Sequence, residues 1–332
     1  MTSLMQTYFA IRLSFTFVAE DIMNVLNDIE WEKGDYNFHV PTRPYERVFY
    51  IGSFMNQDIA RFYRYIWWTD RHIYYGVTEG PPVLSPFNMG ALQYMKVVVP
   101  SEYVRSELQN AGIRVDGVVP HGVRLDEIRS ADPRPWRKIF GEKTVVLYVA
   151  HRNIRKGFKE LVKAWKLTRA SRDPDVLLVL HTSRTPNVND SGYIIPEEGN
   201  IVVTDNILKL DRSSLYGLYR ACDVYVHGAL AEGFGIPVLE AMAAGKPVLV
   251  IDAPPMNELT NDMTVKVEKE FIYNDRGVVT YRLRIPDLMD YAEKLDQLVY
   301  DAHLREELGA RNAEKAEDYD IAKVYPRLRR FL

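Results

Sequence analysis

The chain has 332 residues, of which 47% are hydrophobic and 26% are charged, and its formal net charge is −3. This length is sufficient for two domains, the composition is that of a soluble globular protein, and the weak negative charge does not favour binding to nucleic acid. The single cysteine, Cys222, excludes an internal disulfide and a cysteine-based metal site, and its apolar surroundings predict a buried thiol.

The N-terminal segment 8–19 is apolar, but it does not have the pattern of a signal peptide. Arg12 interrupts it, and the acidic residues Glu20 and Asp21 follow directly in place of a cleavage site. No stretch of the chain reaches the length of a membrane span. We therefore expect a cytoplasmic protein whose contact with a membrane is at most peripheral.

The first third of the chain alternates between strand-like and helix-like runs. Strands are predicted at 8–13, 48–51, 72–77, 96–99 and 115–119, and helices at 15–28, 57–69 and 101–111. The segment 31–45 is rich in turn residues and is predicted to be a loop. Ser101 is suited to cap the third helix, and Gly112 is suited to end it. This alternation favours a parallel, doubly wound sheet.

A second α/β region follows a short segment, 126–138, that contains two prolines and few apolar residues and is predicted to be a linker. Strands are then predicted at 144–150, 176–181 and 201–204, and helices at 157–168 and 213–221. Two runs around 274–277 predict a β-hairpin, and 287–318 is strongly helical. The predicted domains are therefore 1–125 and 139–318, followed by a C-terminal helix at 319–332.

The sequence of segment 227–251 predicts a strand, a glycine loop, a short helix and a second strand. Pro237 suits the first position of a helix, and Gly245 suits the position just after its end. The start of such a helix favours an anion, because its backbone N–H groups and its dipole both attract negative charge. The backbone amides expected at this start are those of Gly233, Phe234, Gly235 and Ile236.

Two carboxylates, Glu232 and Glu240, flank this expected anion site. Carboxylates beside a phosphate are electrostatically unfavourable unless they serve another part of the ligand. A nucleotide sugar has hydroxyl groups on both sides of its phosphates, so it would suit both glutamates. The alternative is an ordinary βαβ unit in which both glutamates are solvated.

The stretch from Glu232 to Glu240, with its Gly-Phe-Gly, Glu-Ala-Met-Ala and Gly-Lys-Pro-Val, resembles the E-x7-E signature of retaining GT-B glycosyltransferases of family GT4. The resemblance implies an α/β fold of the GT-B type, with two Rossmann-like domains that face each other across a cleft. In this family the last helix packs back on the first domain. The implied reaction moves a hexose from a nucleotide-diphosphate sugar to a hydroxyl acceptor on a glycan, a lipid or a protein glycan. It needs no metal ion and no other cofactor.

The same resemblance assigns roles on the donor side. Glu232 is expected to bind hydroxyls of the transferred sugar, and Glu240 is expected to hold the ribose. Lys156 and Arg152 are expected to stabilise the leaving diphosphate, whose negative charge grows as the glycosidic bond breaks. Lys156 matches the family pattern, whereas Arg152 lies one position from the usual arginine, with Arg155 nearby.

Two further features complete the implied site. The stretch around Leu208 resembles the part of the family that contacts the base. On the acceptor side, Thr78 and Glu79 follow a predicted strand, and Glu79 is a candidate catalytic or acceptor-binding residue. His121 lies where the chain approaches the expected cleft, although a structural role is the alternative.

The first domain departs from the family in one respect. Segment 12–17 has no glycine, whereas GT4 proteins have a glycine-containing loop after the first strand. A non-catalytic GT-B-like protein that binds a nucleotide sugar or a glycan is therefore the alternative function. The chain lacks a phosphate-binding Gly-x4-Gly-Lys-Ser/Thr motif and a dinucleotide-binding Gly-x-Gly-x-x-Gly motif, which argues against an NTPase and an oxidoreductase.

Overall fold

The computed structural model describes residues 2–9, 14–182, 195, 199–204 and 210–332. The chain forms two compact units. Unit 1 consists of Met1–Gly122, Ile272–Arg282 and Tyr319–Leu332. Unit 2 consists of Val123–Phe271 and Leu283–Asp318. Each unit is built around its own six-stranded sheet.

The sheet of unit 1 is parallel throughout, with the strand order β2-β1-β3-β4-β5-β6. Its strands are β1 (Ser3–Thr7), β2 (Trp31–Asp35), β3 (Val48–Ser53), β4 (His72–Val77), β5 (Met95–Val99) and β6 (Gly117–Val118). Every residue of β4 is buried, as expected for a strand covered on both faces. The doubly wound α/β architecture predicted from the alternation is therefore present in this unit.

Among the described residues of unit 1, five helices precede its last strand. They are α1 (Ser14–Val25), α2 (Asn56–Ile59), α3 (Phe62–Tyr65), α4 (Pro86–Leu92) and α5 (Glu102–Asn110). The predicted start of α5 is confirmed, because the Ser101 hydroxyl accepts a hydrogen bond from the Val104 N–H at 3.1 Å. The single helix predicted at 57–69 is wrong, since the chain forms α2 and α3 there.

The first two strands also differ from the prediction. The strand expected at 8–13 is not found at 8–9, residues 10–13 lie outside the described residues, and the first strand is β1. Gln6 and Thr7 are fully buried in β1 although they are polar, so the apolar run after them was the misleading signal. The predicted loop at 31–45 begins with β2, which pairs with β1 at the edge of the sheet.

The sheet of unit 2 is also parallel, with the strand order β12-β11-β10-β7-β8-β9. Its strands are β7 (Thr144–Val149), β8 (Val176–His181), β9 (Ile201–Thr204), β10 (Val224–Val226), β11 (Val248–Ile251) and β12 (Thr264–Val265). The order reverses between β7 and β10. Open α/β sheets bind their ligands at such a reversal, beyond the carboxyl ends of the strands.

Eight helices of the described residues belong to unit 2. They are α6 (Leu125–Ser130), α7 (Arg134–Phe140), α8 (Phe158–Leu167), α9 (Arg212–Ala221), α10 (Ile236–Ala243), α11 (Met256–Leu259), α12 (Leu288–Tyr300) and α13 (Ala302–Ala316). The linker predicted at 126–138 is therefore wrong. Its prolines lie at the start of α7, where a proline is compatible with a helix, and the Trp136 Nε1 donates to the Ser214 carbonyl at 2.8 Å.

The C-terminal segment lies in unit 1 and contains helix α14 (Ile321–Val324) and a 3-10 helix at Tyr325–Phe331. The Gly122 N–H donates to the Tyr325 hydroxyl at 3.1 Å, and the Arg329 Nη1 donates to the Asp28 Oδ2 at 2.9 Å. The sequence predicts that 319–332 is a helix that packs on the first domain. The segment belongs to unit 1, but it forms two short helical pieces in place of one helix.

The composition-based expectation for the single cysteine is confirmed. Cys222 is fully buried, and burial raises the pKa of its thiol to about 12.

Among the helices of the described residues, none is long and apolar enough to cross a membrane.

A β-hairpin at 267–286 contributes its tip to unit 1. Strands β13 (Val267–Asp275) and β14 (Val279–Pro286) pair with each other, and the hairpin tip, residues 272–282, packs in unit 1. The Arg282 N–H donates to the Glu79 carbonyl at 2.9 Å, and its Nε donates to the Glu107 Oε1 at 2.7 Å. A Cβ atom on Gly80 would lie 2.8 Å from the Arg282 nitrogen, so this close approach requires glycine.

We expect Arg282→Ala to lower the melting temperature by about 5 °C or more, because it leaves the buried Glu107 carboxylate without this partner. Only 7% of the Glu107 side chain is exposed. Arg276→Ala is the matched control, since Arg276 lies at the hairpin turn with 73% of its side chain exposed. Calorimetry of the two variants measures the difference, and equal melting temperatures would contradict a stabilising role for the Arg282 contact.

Candidate active site

The two loops at the reversal point of the unit 2 sheet carry most of the predicted donor-side residues. One loop follows β7 and contains residues 150–157, and the other follows β10 and contains residues 227–235. Because β7 and β10 are paired parallel neighbours, their carboxyl ends lie side by side. The topology therefore brings together two motifs that are about 75 residues apart in the sequence.

The loop after β10 leads directly into helix α10. Gly235 has a φ of 103°, which is left-handed, and it precedes a helix with a proline in its first turn. The predicted position of Pro237 is thus confirmed, and so is that of Gly245, which follows the helix with a φ of 72°. Glu232 is 8% exposed and lies at the start of this turn.

The loop after β7 is fixed against the loop after β10 by its backbone. The Leu230 N–H donates to the Arg155 carbonyl at 2.7 Å. The Tyr148 hydroxyl donates to the Lys156 carbonyl at 2.7 Å. Gly157 has a φ of 57°, and a Cβ atom there would overlap the Gly228 carbonyl oxygen. This close approach places the basic side chains of one loop beside the carboxylate of the other.

Glu232 is the centre of a buried cluster of charged and polar groups. Its Oε1 accepts a hydrogen bond from the Lys156 Nζ. Its Oε2 accepts one from the Arg155 Nη1 at 3.1 Å, and this nitrogen also donates to the Ala231 carbonyl at 3.1 Å. The His227 Nε2 lies 3.2 Å from Oε1. The carboxylate is therefore held in one orientation by contacts on both oxygens.

The cluster keeps Glu232 ionised. Burial alone would raise the pKa of Glu232, but the charges of Lys156 and Arg155 outweigh burial and hold this pKa well below its usual value. Burial lowers the pKa of His227 despite the neighbouring carboxylate, so this imidazole is neutral at pH 7. The site thus combines one carboxylate with two fixed cations and a neutral imidazole.

Arg155, which the sequence did not assign to the site, contacts Glu232. Arg152 is 3% exposed and lines a cavity of about 170 Å³ within unit 2. The apolar part of this cavity wall is formed by Ile154, Phe158, Leu230, Phe271, Leu283 and Ile285. The role of Arg152 in binding the diphosphate stays a prediction, whereas Arg155 has the contact with the carboxylate.

The remaining donor-side residues lie on or before α10. Glu240 is half-buried in this helix, and its charge adds to the burial that raises the pKa of Tyr219. Phe234 is buried, as are Gly233 and Gly235, while Ile236 is partly exposed. Their roles at a phosphate and at a ribose stay predictions. Leu208 lies outside the described residues.

The acceptor-side candidates belong to unit 1. Thr78 is 4% exposed, and its hydroxyl donates to the Gly80 carbonyl at 2.6 Å. Glu79 is half-buried, and its carbonyl accepts from the Arg282 N–H of the hairpin. Both residues follow β4 as predicted, but Thr78 has a partner within its own loop. Their contact with an acceptor stays a prediction.

His121 is also buried in unit 1. It is 4% exposed, and its Nδ1 lies 2.9 Å from the Tyr75 hydroxyl, which donates to the Val119 carbonyl at 2.8 Å. Burial lowers the pKa of His121 to about 3, so this imidazole is neutral at neutral pH. These contacts favour the structural alternative for His121.

Two residues of the cluster, Arg155 and His227, were not assigned a role from the sequence. The available signal was their position, because Arg155 precedes the matched Lys156 and His227 directly follows β10. A side chain at the carboxyl end of a strand next to the reversal point is placed to meet a ligand. Across the part of the chain that the structure describes, no group of three or more His, Cys, Asp or Glu side chains could hold a metal ion.

Comparisons with known sequences place the second half of the chain in a known group. The model of the family described as "Glycosyl transferases group 1" matches residues 133–315. An uncharacterized glycosyltransferase of Sulfolobus islandicus rod-shaped virus 1 is 24% identical in an alignment of 335 positions. The alignment covers 95% of this chain and 96% of that protein. The capsular polysaccharide biosynthesis glycosyltransferase CapM of Staphylococcus aureus is 26% identical over 185 residues, which cover 55% of this chain and 44% of CapM.

Solved structures with the same fold cover almost the whole chain. Anabaena Alr3699/HepE, solved in complex with UDP and glucose, has a TM-score of 0.71 at 15% identity and covers 99% of both chains. Sucrose-phosphate synthase from Thermosynechococcus elongatus has a TM-score of 0.73 at 12% identity and covers 99% of this chain and 98% of its own. The predicted α/β fold of the GT-B type is thereby confirmed. The structure shows that it contains two parallel six-stranded sheets.

Proposed function

The chain belongs to the group 1 glycosyltransferases and is an enzyme of the transferase type, and we propose that it moves a hexose from a nucleotide-diphosphate sugar to a hydroxyl acceptor. The transfer retains the anomeric configuration and uses no metal ion. The acceptor hydroxyl is carried by a glycan, a lipid or a protein glycan. The protein acts in the cytoplasm, with at most peripheral contact with a membrane.

The observation that carries this proposal is the cluster of Glu232, Lys156 and Arg155 at the reversal point of the unit 2 sheet. A leaving diphosphate gains negative charge, and fixed cations in a buried site stabilise that charge strongly. The carboxylate between them suits the hydroxyl groups of the transferred sugar. The complex of HepE with UDP and glucose adds support for a nucleotide-sugar donor.

The proposed step breaks the bond between the anomeric carbon and the diphosphate oxygen. The acceptor oxygen forms its bond to the same face of that carbon, and its proton passes to the leaving phosphate. Lys156 and Arg155 bind the phosphate oxygens, and Glu232 accepts hydrogen bonds from sugar hydroxyls. Glu240 holds the ribose at the other end of the donor. Glu232 has no role as a covalent nucleophile in this step.

The two glutamates give the sharpest test. We expect Glu240→Ala to weaken binding of UDP-sugars, GDP-sugars or ADP-sugars about 10-fold or more, since it removes charged hydrogen bonds to the ribose. Glu232→Gln should lose most of the turnover but bind the nucleotide diphosphate at least as tightly as the wild type. The reason is that Lys156 and Arg155 no longer have a carboxylate that competes with the phosphates.

Calorimetric titration with one sugar of each nucleotide measures the binding, and release of the nucleoside diphosphate measures the turnover. Glu306→Ala, an exposed position on α13, serves as the control. Small and equal effects of both glutamate variants are incompatible with the assigned roles. Binding of a donor by the wild type without any turnover would favour the non-catalytic alternative.

A further inference from the structure

His227 is buried beside Glu232 and fixed from both sides of its ring. The side chain is 1% exposed, and its Nε2 lies 3.2 Å from the Glu232 Oε1. Its Nδ1 lies 3.3 Å from the Tyr225 hydroxyl. The ring packs edge to face against Tyr148, with the two centroids 5.7 Å apart. The imidazole is therefore held within reach of one oxygen of the carboxylate.

The neutral imidazole has one N–H group, and we place it on Nε2 because this nitrogen faces the Glu232 carboxylate, which can only accept. Nδ1 is then the acceptor and can receive a hydrogen bond from the Tyr225 hydroxyl. Among the described residues, the Nε2 of His227 makes no hydrogen bond of ordinary geometry, although Oε1 is close. A buried donor is therefore available next to Oε1 but is not aligned with it.

Lys156 occupies the oxygen that His227 faces. Its Nζ donates to Oε1 of Glu232, whereas the Arg155 Nη1 donates to Oε2. In the proposed reaction Lys156 also binds the diphosphate, so a bound donor competes with Glu232 for the same ammonium group. A buried carboxylate oxygen that loses its partner is costly, so Oε1 needs a second donor at that moment.

We propose that His227 is a positioning residue that takes over Oε1 of Glu232 when the diphosphate of a bound donor draws Lys156 away. The Nε2–H then donates to Oε1, while the Nη1 of Arg155 stays on Oε2 and other N–H groups of this guanidinium bind the phosphates. The carboxylate thereby keeps its orientation toward the hydroxyls of the transferred sugar. This inference rests on the proposed function, because only a bound diphosphate gives Lys156 a competing partner.

Two substitutions at position 227 separate positioning from packing. His227→Leu removes the donor and keeps a similar volume, and we expect it to lower kcat for UDP release from UDP-glucose about 10-fold to 100-fold. The Kd for UDP should stay within about 3-fold, because the phosphates do not contact His227. His227→Gln places an amide N–H near the position of Nε2 and should recover most of kcat.

Tyr225→Phe provides a second, milder variant. It removes the hydroxyl that can donate to Nδ1 and so favours the N–H on Nε2. The kcat should therefore fall less than in His227→Leu, with the Kd for UDP unchanged. Calorimetry on all three variants reports whether the fold is intact. A kcat of His227→Leu equal to that of the wild type, or a loss that His227→Gln shares in full, would overturn the positioning role.

A measurement on the wild-type protein covers the case in which His227→Leu does not fold. The chain has seven histidines, so ¹⁵N-histidine labelling gives few signals, and His227→Gln assigns one of them. We expect a proton on Nε2, and we expect its resonance to move downfield on addition of UDP as the bond to Glu232 forms. If saturating UDP does not move this resonance, His227 does not replace Lys156 as the donor to Oε1 of Glu232, and the proposal is contradicted. Failure of the wild type to bind any of the UDP-, GDP- and ADP-sugars overturns the proposed function instead.

Discussion

Lys156→Ala is expected to reduce turnover at least about 100-fold, because it removes a fixed cation from the place where the leaving diphosphate gains charge. The Nζ of Lys156 contacts Glu232, and only 12% of the Lys156 side chain is exposed. Solvent screens such a buried charge poorly, so its removal should lower turnover more than the removal of a surface lysine. The Kd for UDP should also rise about 10-fold, as one charged contact to the phosphates is lost.

The same variant should be less stable than the wild type at neutral pH, by up to about 3 kcal/mol, because Glu232 loses one of its two cationic partners. The pKa of Glu232 is lowered in the folded protein, so its ionised form stabilises the fold above the ordinary pKa of a glutamate. That contribution is lost as the pH falls through the lowered pKa. The difference in stability between the variant and the wild type should therefore shrink on acidification.

Lys163→Ala is the matched control for both measurements. Lys163 lies on α8, the helix that follows the basic loop, and its side chain is exposed. We expect its turnover and its melting temperature to equal those of the wild type. A Lys156→Ala protein that is folded and releases UDP from UDP-glucose as fast as Lys163→Ala would refute the role given to Lys156.

Buried parallel strands are the part of the fold that the sequence predicts best. The strands at His72–Val77, Val176–His181 and Ile201–Thr204 have the predicted boundaries. The first two are almost fully buried, as expected for strands covered on both faces, and they appear as mainly apolar runs. The third lies at the edge of its sheet and exposes Val202. Strand β1 is the counterexample, because it buries Gln6 and Thr7 and its composition does not indicate burial.

Proline is the residue whose meaning the sequence left ambiguous. Prolines at 133 and 135 predicted a linker, yet they lie at the start of helix α7. A proline is equally compatible with a loop and with the first turn of a helix. The contact that decides between them is tertiary, because Trp136 and Arg137 bond to Ser214 and Asp223, which are distant in the sequence.

In the candidate site, too, local motifs predict some residues, whereas the contacts between them depend on the tertiary structure. Lys156 and Glu232 are identified by their motifs, since each motif has a local physical reason to bind phosphate or hydroxyl groups. Their ion pair depends on the pairing of β7 with β10, which no local pattern encodes. The contact of Arg155 with Glu232 also depends on the 3-10 turn at Ile154–Lys156, which the sequence did not predict.

Gly157→Ala is expected to be strongly destabilising, although the substitution removes no group of the charged cluster. The added Cβ would overlap the Gly228 carbonyl oxygen, and it would lie 2.9 Å from the Leu230 Cδ2. The φ of 57° adds the cost of a left-handed conformation, about 1 kcal/mol for alanine. Since backbone atoms cannot move aside independently, the basic loop must separate from the loop that carries Glu232.

Gly245→Ala isolates the conformational part of this cost. Gly245 has a φ of 72°, but no atom lies within 4 Å of a Cβ placed there, and it belongs to the same unit. We expect Gly245→Ala to cost about 1 kcal/mol and to keep its activity. Gly157→Ala should cost several times more and should lose turnover with UDP-glucose, because Lys156 moves away from Glu232 with its loop. Equal melting temperatures of the two variants, measured by calorimetry, would mean that the close approach of the two loops does not hold the site together.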